Sequence, residues 1–139
     1  VSPDDFSIVQ RVRFGDLDAM QHMNNVEFLR FFETARIDYI TQLAPEHNPG
    51  NPNGFGFIFA ECHIAYRAPA HYNEEIRTFI RPAELKRSSL KLEFEMRVDA
   101  GDRLVAEGWG TLVGYDYESG RAHPIPDAFR ERVEPLLGR

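Results

Sequence analysis

The sequence predicts an α+β domain in which one long helix lies against the concave face of a curved, five-stranded antiparallel sheet. Three observations carry this. Residues 26–43 place apolar side chains around most of a helical circumference, which marks a buried helix rather than one lying on a surface. Beyond Gly56 the period changes to two, most clearly in LKLEFEMRV (90–98), where nine positions alternate strictly. The strands after the helix are joined by short turns, and short connections favour antiparallel neighbours.

Each element has a local reason. VQRVRF (9–14) is β-rich and reads as the first strand. A polar connector, GDLDAMQHMNN, leads to the helix, with Asn24 or Asn25 as the natural N-cap. Glu27, Arg30 and Glu33 form a polar stripe at i, i+3 spacing. Pro45 and the stretch HNPGNPNG end the helix and predict a mobile loop. Strands follow at 57–67, 74–81, 90–98 and 103–117. In the last of these Gly108, Gly110 and Gly114 share one face, with Val105, Trp109, Val113 and Tyr115 on the other. Repeated glycines on one face predict the close approach of another backbone, as the buried helix would supply, or else a twist or bulge. Pro124 and Pro126 precede a short amphipathic tail, 127–137. One helix covers one side of such a sheet, so the remaining surface predicts a second subunit.

Composition narrows the function. The 139 residues suit one domain, and 42% hydrophobic content with 11 Phe excludes a chain too polar to collapse. Cys62 is the one cysteine, which excludes an intrachain disulfide and fits a reducing compartment; within a strand, it is expected to be a buried, inert thiol. No apolar stretch approaches the length of a membrane span, and no secretory pattern opens the sequence, so the expectation is a cytoplasmic protein without a membrane partner. The net charge of −6 disfavours a nucleic-acid partner but permits an anionic ligand at a local basic patch.

The densest chemistry lies in DLDAMQHMNN (16–25): two carboxylates, an imidazole and two Asn amides directly before a helix. A helix start offers unpaired N–H groups and a positive dipole end that can hold a developing oxyanion. A carboxylate beside it could attack a carbonyl carbon or activate a water. The competing readings are local: Asp16 and Asp18 as turn and cap residues, Asn24 and Asn25 as structural caps, His22 as a hydrogen-bonded structural histidine. Asp16, Asp18 and His22 lack zinc-like spacing, so no metal site is expected. No G-x-S-x-G occurs to mark a serine nucleophile.

RVRFGDLDAMQHMNNVEFLRFFETAR resembles the opening motif of the hot-dog-fold acyl-CoA thioesterases of the 4-hydroxybenzoyl-CoA thioesterase superfamily. Phe14, Asp16, Asp18, His22, Asn24, Asn25, Phe32, Glu33, Ala35 and Arg36 fill the motif's places. The resemblance continues in IAYRAPAHYNEEI (64–76) and YDYESGRAHPIP (115–126), and Gln21-His22 also occurs in the branch resembling bacterial long-chain acyl-CoA thioesterases. Gln21, Met23 and Phe28 replace the commoner Gly, Val and Tyr; Gly tolerates positive φ at the first of these places and Gln does so poorly.

The resemblance implies a hot-dog fold, a helix wrapped by the sheet, and hydrolysis of an acyl-CoA to a carboxylic acid and coenzyme A without a cofactor. It implies Asp18 as nucleophile or general base, the helix-start amide near Asn25 as the carbonyl's partner, and His22 and Asn24 as orienting groups. It also implies a homodimer or homotetramer with the site between subunits. The phosphates of coenzyme A need cations, for which Arg67, Lys86 and Arg87, with the hydroxyls of Ser88 and Ser89, are the candidates; solvated basic residues at strand ends are the alternative. Glu61, paired with His63, is the reserve carboxylate, because some hot-dog branches place theirs elsewhere. Two other functions are compatible with the fold: a non-catalytic acyl-CoA sensor, and a hydratase or dehydratase, whose usual Asp–His or His–Glu dyad is not seen.

Overall fold

In a computed structural model, which describes residues 2–47 and 55–138, the described residues form six strands, two α-helices and three short 3-10 turns. Residues 48–54, most of the expected mobile loop, lie outside that range. Strands β1 (Phe6–Arg11), β2 (Phe55–Tyr66), β3 (Glu75–Leu85), β4 (Ser89–Val98) and β5 (Arg103–Asp116) form an antiparallel sheet in the order β1-β3-β4-β5-β2. A two-residue β6 (Arg121–Ala122), which the sequence did not reveal, pairs with the end of β5.

Helix α1 (Asn25–Leu43) crosses the inner face of this sheet. Asn24 caps its start, its Oδ1 accepting from the Val26 N–H at 3.0 Å, and Pro45 prevents its continuation. Phe32, fully buried, stacks on Phe94 of β4 with ring centroids 4.3 Å apart and meets Phe59 of β2 at 6.0 Å. Two turns further along the same face, Tyr39 meets Phe6 of β1 at 5.2 Å. Each such buried ring contributes about 2–3 kcal/mol of hydrophobic free energy, so the helix is held by its packing and not by propensity. The Arg36 guanidinium lies 4.0 Å from the Phe59 ring centroid and 3.6 Å from Glu33; burial lowers its pKa against the pull of Glu33. Leu90, Leu92, Phe94, Met96 and Val98 all point inward, the alternation read from β4. Helix α2 (Asp127–Val133) closes one end of the core through Phe129 and Val133.

Four expectations need correction. The first strand runs Phe6–Arg11, and Phe14 stands exposed in a 3-10 turn (Phe14–Asp16), because the Asp16 carboxylate accepts from the Arg13 backbone N–H and bends the chain there. The glycine face of β5 does admit close backbone, but not that of α1. A Cβ on Gly108 would collide with the His63 carbonyl of β2, and one on Gly114 with the His123 carbonyl; at Gly110 the Phe32 and Phe59 rings occupy the space. Val105 is the extra residue of a bulge opposite Met96 and Arg97, so it is buried instead of sharing the Trp109 face. Cys62 is exposed, since β2 is an edge strand.

A second bulge matters more for function. The β2–β5 register slips between Phe59 and Glu61, which inserts Ala60 and reverses the faces. Phe57 and Phe59 face the helix before it; Cys62, Ile64 and Tyr66 do so after it. Glu61 and His63 are turned to the outer face.

Candidate active site

The loop 17–23 is a tight reversal built on Asp18. Leu17 and Met23 pair as an antiparallel bridge, the Asp18 N–H donates to the His22 carbonyl at 2.9 Å, and the Gln21 N–H donates to the Asp18 carbonyl at 3.1 Å. Gln21 sits at φ +66°, the left-handed conformation that Gly would adopt freely. The Asp18 Oδ1 accepts from the Met20 N–H at 2.9 Å and from the His22 N–H at 3.4 Å, which locks the carboxylate over its own turn. Its Oδ2 takes no hydrogen bond from the described residues.

The two aspartates of D-x-D therefore differ. Asp16 is buried and accepts from the Arg13 N–H, Nε and Nη2 at 2.8, 3.3 and 3.1 Å. Burial alone would raise its carboxyl, but the Arg13 contacts outweigh it and the net pKa is lowered. Its carbonyl accepts from the Asn24 N–H at 2.8 Å, tying the loop to the helix start. Asp16 is thus a structural residue, whereas Asp18 presents a free oxygen.

At the helix start the amides can be accounted for one by one. Asn24 N–H goes to Asp16, Val26 N–H to the Asn24 side chain, and Glu27 N–H to the Asn24 carbonyl at 2.8 Å. Asn25 N–H has no acceptor among the described residues. It is the available donor at the positive end of the helix dipole. A cavity of about 530 Å³ brings together Asp18, Met20, His22, Asn24, Asn25, Phe28, Tyr66 and Arg67. His22 meets His71 edge to face at 5.4 Å, and His71 Nδ1 lies 3.2 Å from Glu74, which Arg103 also holds. Burial raises the Glu74 carboxyl, but bonds from the His71 backbone and Arg103 win and lower it.

Asp18, His22, Asn24, Asn25 and Arg67 thus share one cavity, with Arg67 Nε bonded to Glu107 at 3.0 Å. Residues 86–89 do not reach it. They form the β3–β4 turn, closed by Lys86 N–H to the Ser89 carbonyl at 2.9 Å and clamped by Arg130, which donates to the Lys86 and Arg87 carbonyls. Tyr66 lies opposite Ala106 and Ser89 opposite Val113, seven residues along β5, so the two regions stand roughly 23 Å apart along the sheet. Glu61 lines a separate outer-face groove with Lys86, Ser89 and Lys91. Of the α1 aromatics, Phe28 lines the cavity as well as packing in the core, whereas Phe32 belongs to the core alone. Tyr66 was missed as a site residue: strict alternation from Phe57 turns it outward, and the bulge at Ala60 turns it in. Among the described residues no three His, Cys, Asp or Glu side chains converge as a metal would require.

The sequence profile of the thioesterase-like superfamily matches residues 12–133. The chain belongs to that superfamily. Its relatives include the long-chain acyl-CoA thioesterase FadM of Escherichia coli, 26% identical over 132 residues, which cover 91% of this chain and 96% of the relative. The 1,4-dihydroxy-2-naphthoyl-CoA hydrolase of a Synechococcus species is 26% identical over 141 residues, 95% of this chain and 91% of the relative. Among solved structures, a thioesterase from Thermus thermophilus complexed with coenzyme A and Zn superposes with a TM-score of 0.79 at 34% identity, over 96% of this chain and 94% of that one. The hot-dog architecture expected from the motif is the one observed, and the superfamily is one of thioester hydrolases.

Proposed function

We propose that this protein is an acyl-CoA thioesterase that converts an acyl-CoA and water to a carboxylic acid and coenzyme A. The observation that carries the proposal is the pairing, in one cavity, of a free helix-start N–H at Asn25 with an unencumbered carboxylate oxygen at Asp18. With the thioester oxygen accepting from Asn25 N–H, negative charge developing on it meets a fixed donor and the helix dipole, a contact that can supply about 3 kcal/mol to the transition state. Asp18 Oδ2 then has two routes. It can attack the carbonyl carbon, expelling the coenzyme A thiolate and leaving an aspartyl anhydride that water cleaves. Alternatively it can take the proton of a water that attacks directly, and return that proton to the thiolate. His22 and Asn24 hold the loop and the cap that aim these two groups.

The relatives act on coenzyme A esters, which supports that substrate class here. The basic turn at 86–89 enters through a second copy. β2 is a 12-residue strand at the sheet's edge, with no neighbour on its far side among the described residues, and Ile58, Phe59 and Tyr66 expose apolar surface along it. Antiparallel pairing of β2 with a second β2 about a two-fold axis would set the partner's β3–β4 turn beside this chain's Tyr66 end. Lys86, Arg87, Ser88 and Ser89 would then face the mouth of the neighbouring cavity, where Arg67 already lies, and meet the phosphates. The lone cysteine fits a reducing cytoplasm.

Thiol release from butyryl-, decanoyl-, palmitoyl- and benzoyl-CoA tests the reading. Release by the wild type, reduced on the order of 10³-fold in Asp18→Asn, is the expected result. Full activity in Asp18→Asn would remove Asp18 from the mechanism, and binding without release would identify an acyl-CoA sensor.

A further inference from the structure

Resting on the hydrolase reading, we infer that Tyr66 is a positioning residue for the oxyanion donor: its phenol holds the Asn25–Val26 peptide so that the Asn25 N–H points into the cavity. The Tyr66 hydroxyl donates to the Asn25 carbonyl at 3.1 Å. The N–H of the same peptide unit donates to Asn24 Oδ1 at 3.0 Å. One peptide plane is thus gripped at both ends, by a strand side chain at its oxygen and by the cap at its nitrogen. That plane adjoins the Asn24–Asn25 peptide, which carries the N–H without an acceptor among the described residues and whose carbonyl accepts from the Glu27 N–H at 2.8 Å. Anchoring the neighbouring plane restrains the Asn25 torsions that join the two, and with them the direction of that amide. The helix engages that carbonyl of Asn25 from within its own first turns; the phenol adds a second donor from the sheet, which ties the helix start to β2.

The rest of the side chain suits the role. The Tyr66 ring meets the buried Phe28 edge to face, centroids 5.3 Å apart at 78°, so the phenol cannot swing away without giving up that ring contact. Burial raises the phenol above its ordinary pKa, with a smaller push from Cys62, so it remains a donor throughout the neutral range. Tyr66 ends β2, and it brings the hydroxyl from the sheet edge to the helix only because the bulge at Ala60 has turned it inward. A dimer formed along β2 would therefore set the position of this clamp as well, coupling assembly to the geometry of the donor.

Tyr66→Phe keeps the ring and deletes the donor. The expected result is a loss of about tenfold in kcat, with KM for decanoyl-CoA nearly unchanged and thermal stability within a degree or two of wild type. A purely structural tyrosine would lower stability without separating kcat from KM. Unchanged kcat in Tyr66→Phe would overturn the inference while leaving the hydrolase reading intact. A second measurement does not depend on turnover. A 2-oxoalkyl-CoA thioether, which keeps a carbonyl oxygen but no cleavable thioester, should shift the Asn25 amide proton downfield in the wild type and distinctly less in Tyr66→Phe. If the wild-type Asn25 signal does not move, or moves equally in both proteins, the inference falls. If the wild type hydrolyses no acyl-CoA, it is the hydrolase reading that fails, and this amide shift alone decides whether Tyr66 positions a carbonyl-binding donor.

Discussion

Replacing Gln21 by glycine should stabilise this protein, although it removes a side chain from the loop that carries the candidate catalytic carboxylate. Gln21 holds φ at +66°, a conformation that costs an L-residue about 1–2 kcal/mol through the approach of Cβ to the carbonyl. The 17–23 loop cannot relax it, because Asp18 N–H to His22, Gln21 N–H to Asp18 and the Leu17–Met23 bridge all require the reversal. Glycine relieves the strain but adds about 0.5–1 kcal/mol of chain entropy to the unfolded state. The Gln21 side chain is exposed and makes no hydrogen bond in the described structure, so nothing else is lost. The net is a gain of about 0.5–1 kcal/mol. At about 2.1 cal/mol/K per residue, 139 residues carry an unfolding entropy near 0.3 kcal/mol/K, so the gain corresponds to a rise of about 2–3 °C in Tm. Gln21→Val should move the other way by more than about 1 kcal/mol, because a β-branched residue tolerates positive φ worst. Thermal and urea denaturation of the three proteins at one concentration provide the check. A glycine variant less stable than wild type would refute the account of loop strain.

Three further outcomes follow from particular contacts. The Asp16 carboxyl has a lowered pKa in the fold, so its stabilisation is fully present above the unfolded value near 4 and is lost as pH falls through the folded value; Asp16→Asn should lower stability at pH 7 by about 2 kcal/mol and flatten the decline of Tm below pH 4, measured by calorimetry across pH 2–7. Gly108→Ala should destabilise by about 3 kcal/mol or more and cost more than Gly110→Ala, since the former meets the His63 backbone carbonyl and the latter aromatic rings that can shift; chemical denaturation ranks the two. Light scattering at micromolar concentration should give about twice the 16.0 kDa chain mass, and Phe59→Lys on the β2 edge should shift the population toward monomer; a wild-type monomer would contradict the two-fold arrangement.

The sequence carried the fold further than the details of the site. The all-round apolar run 26–43 and the alternation of 90–98 are periodic signals set by burial, and each became the expected element, α1 and β4. The boundary of β1 was not legible, because Asp16 ends the strand by a side-chain hydrogen bond that leaves no periodic trace. The acidic pair was visible in sequence but its division of labour was not. Asp16 and Asp18 are chemically identical, and only Arg13 folding back onto Asp16 distinguishes them. The positive φ at Gln21 had been foreshadowed by the glycine usual at that place.

The sequence by itself determined a cysteine-poor, acidic composition, a buried aromatic helix, and a polar cluster placed at the helix's positive end, since these follow from composition and local order. Tertiary structure alone decided which amide at that end is free and which carboxylate oxygen is unencumbered. It also decided that Tyr66 points inward and that residues 86–89 lie at the far end of the sheet from Asp18. The physical reason is that hydrogen-bond accounting and strand register are pairwise properties. A single inserted residue at Ala60 reverses every later side chain of β2, and nothing in the residue's own chemistry announces which partner strand it will face.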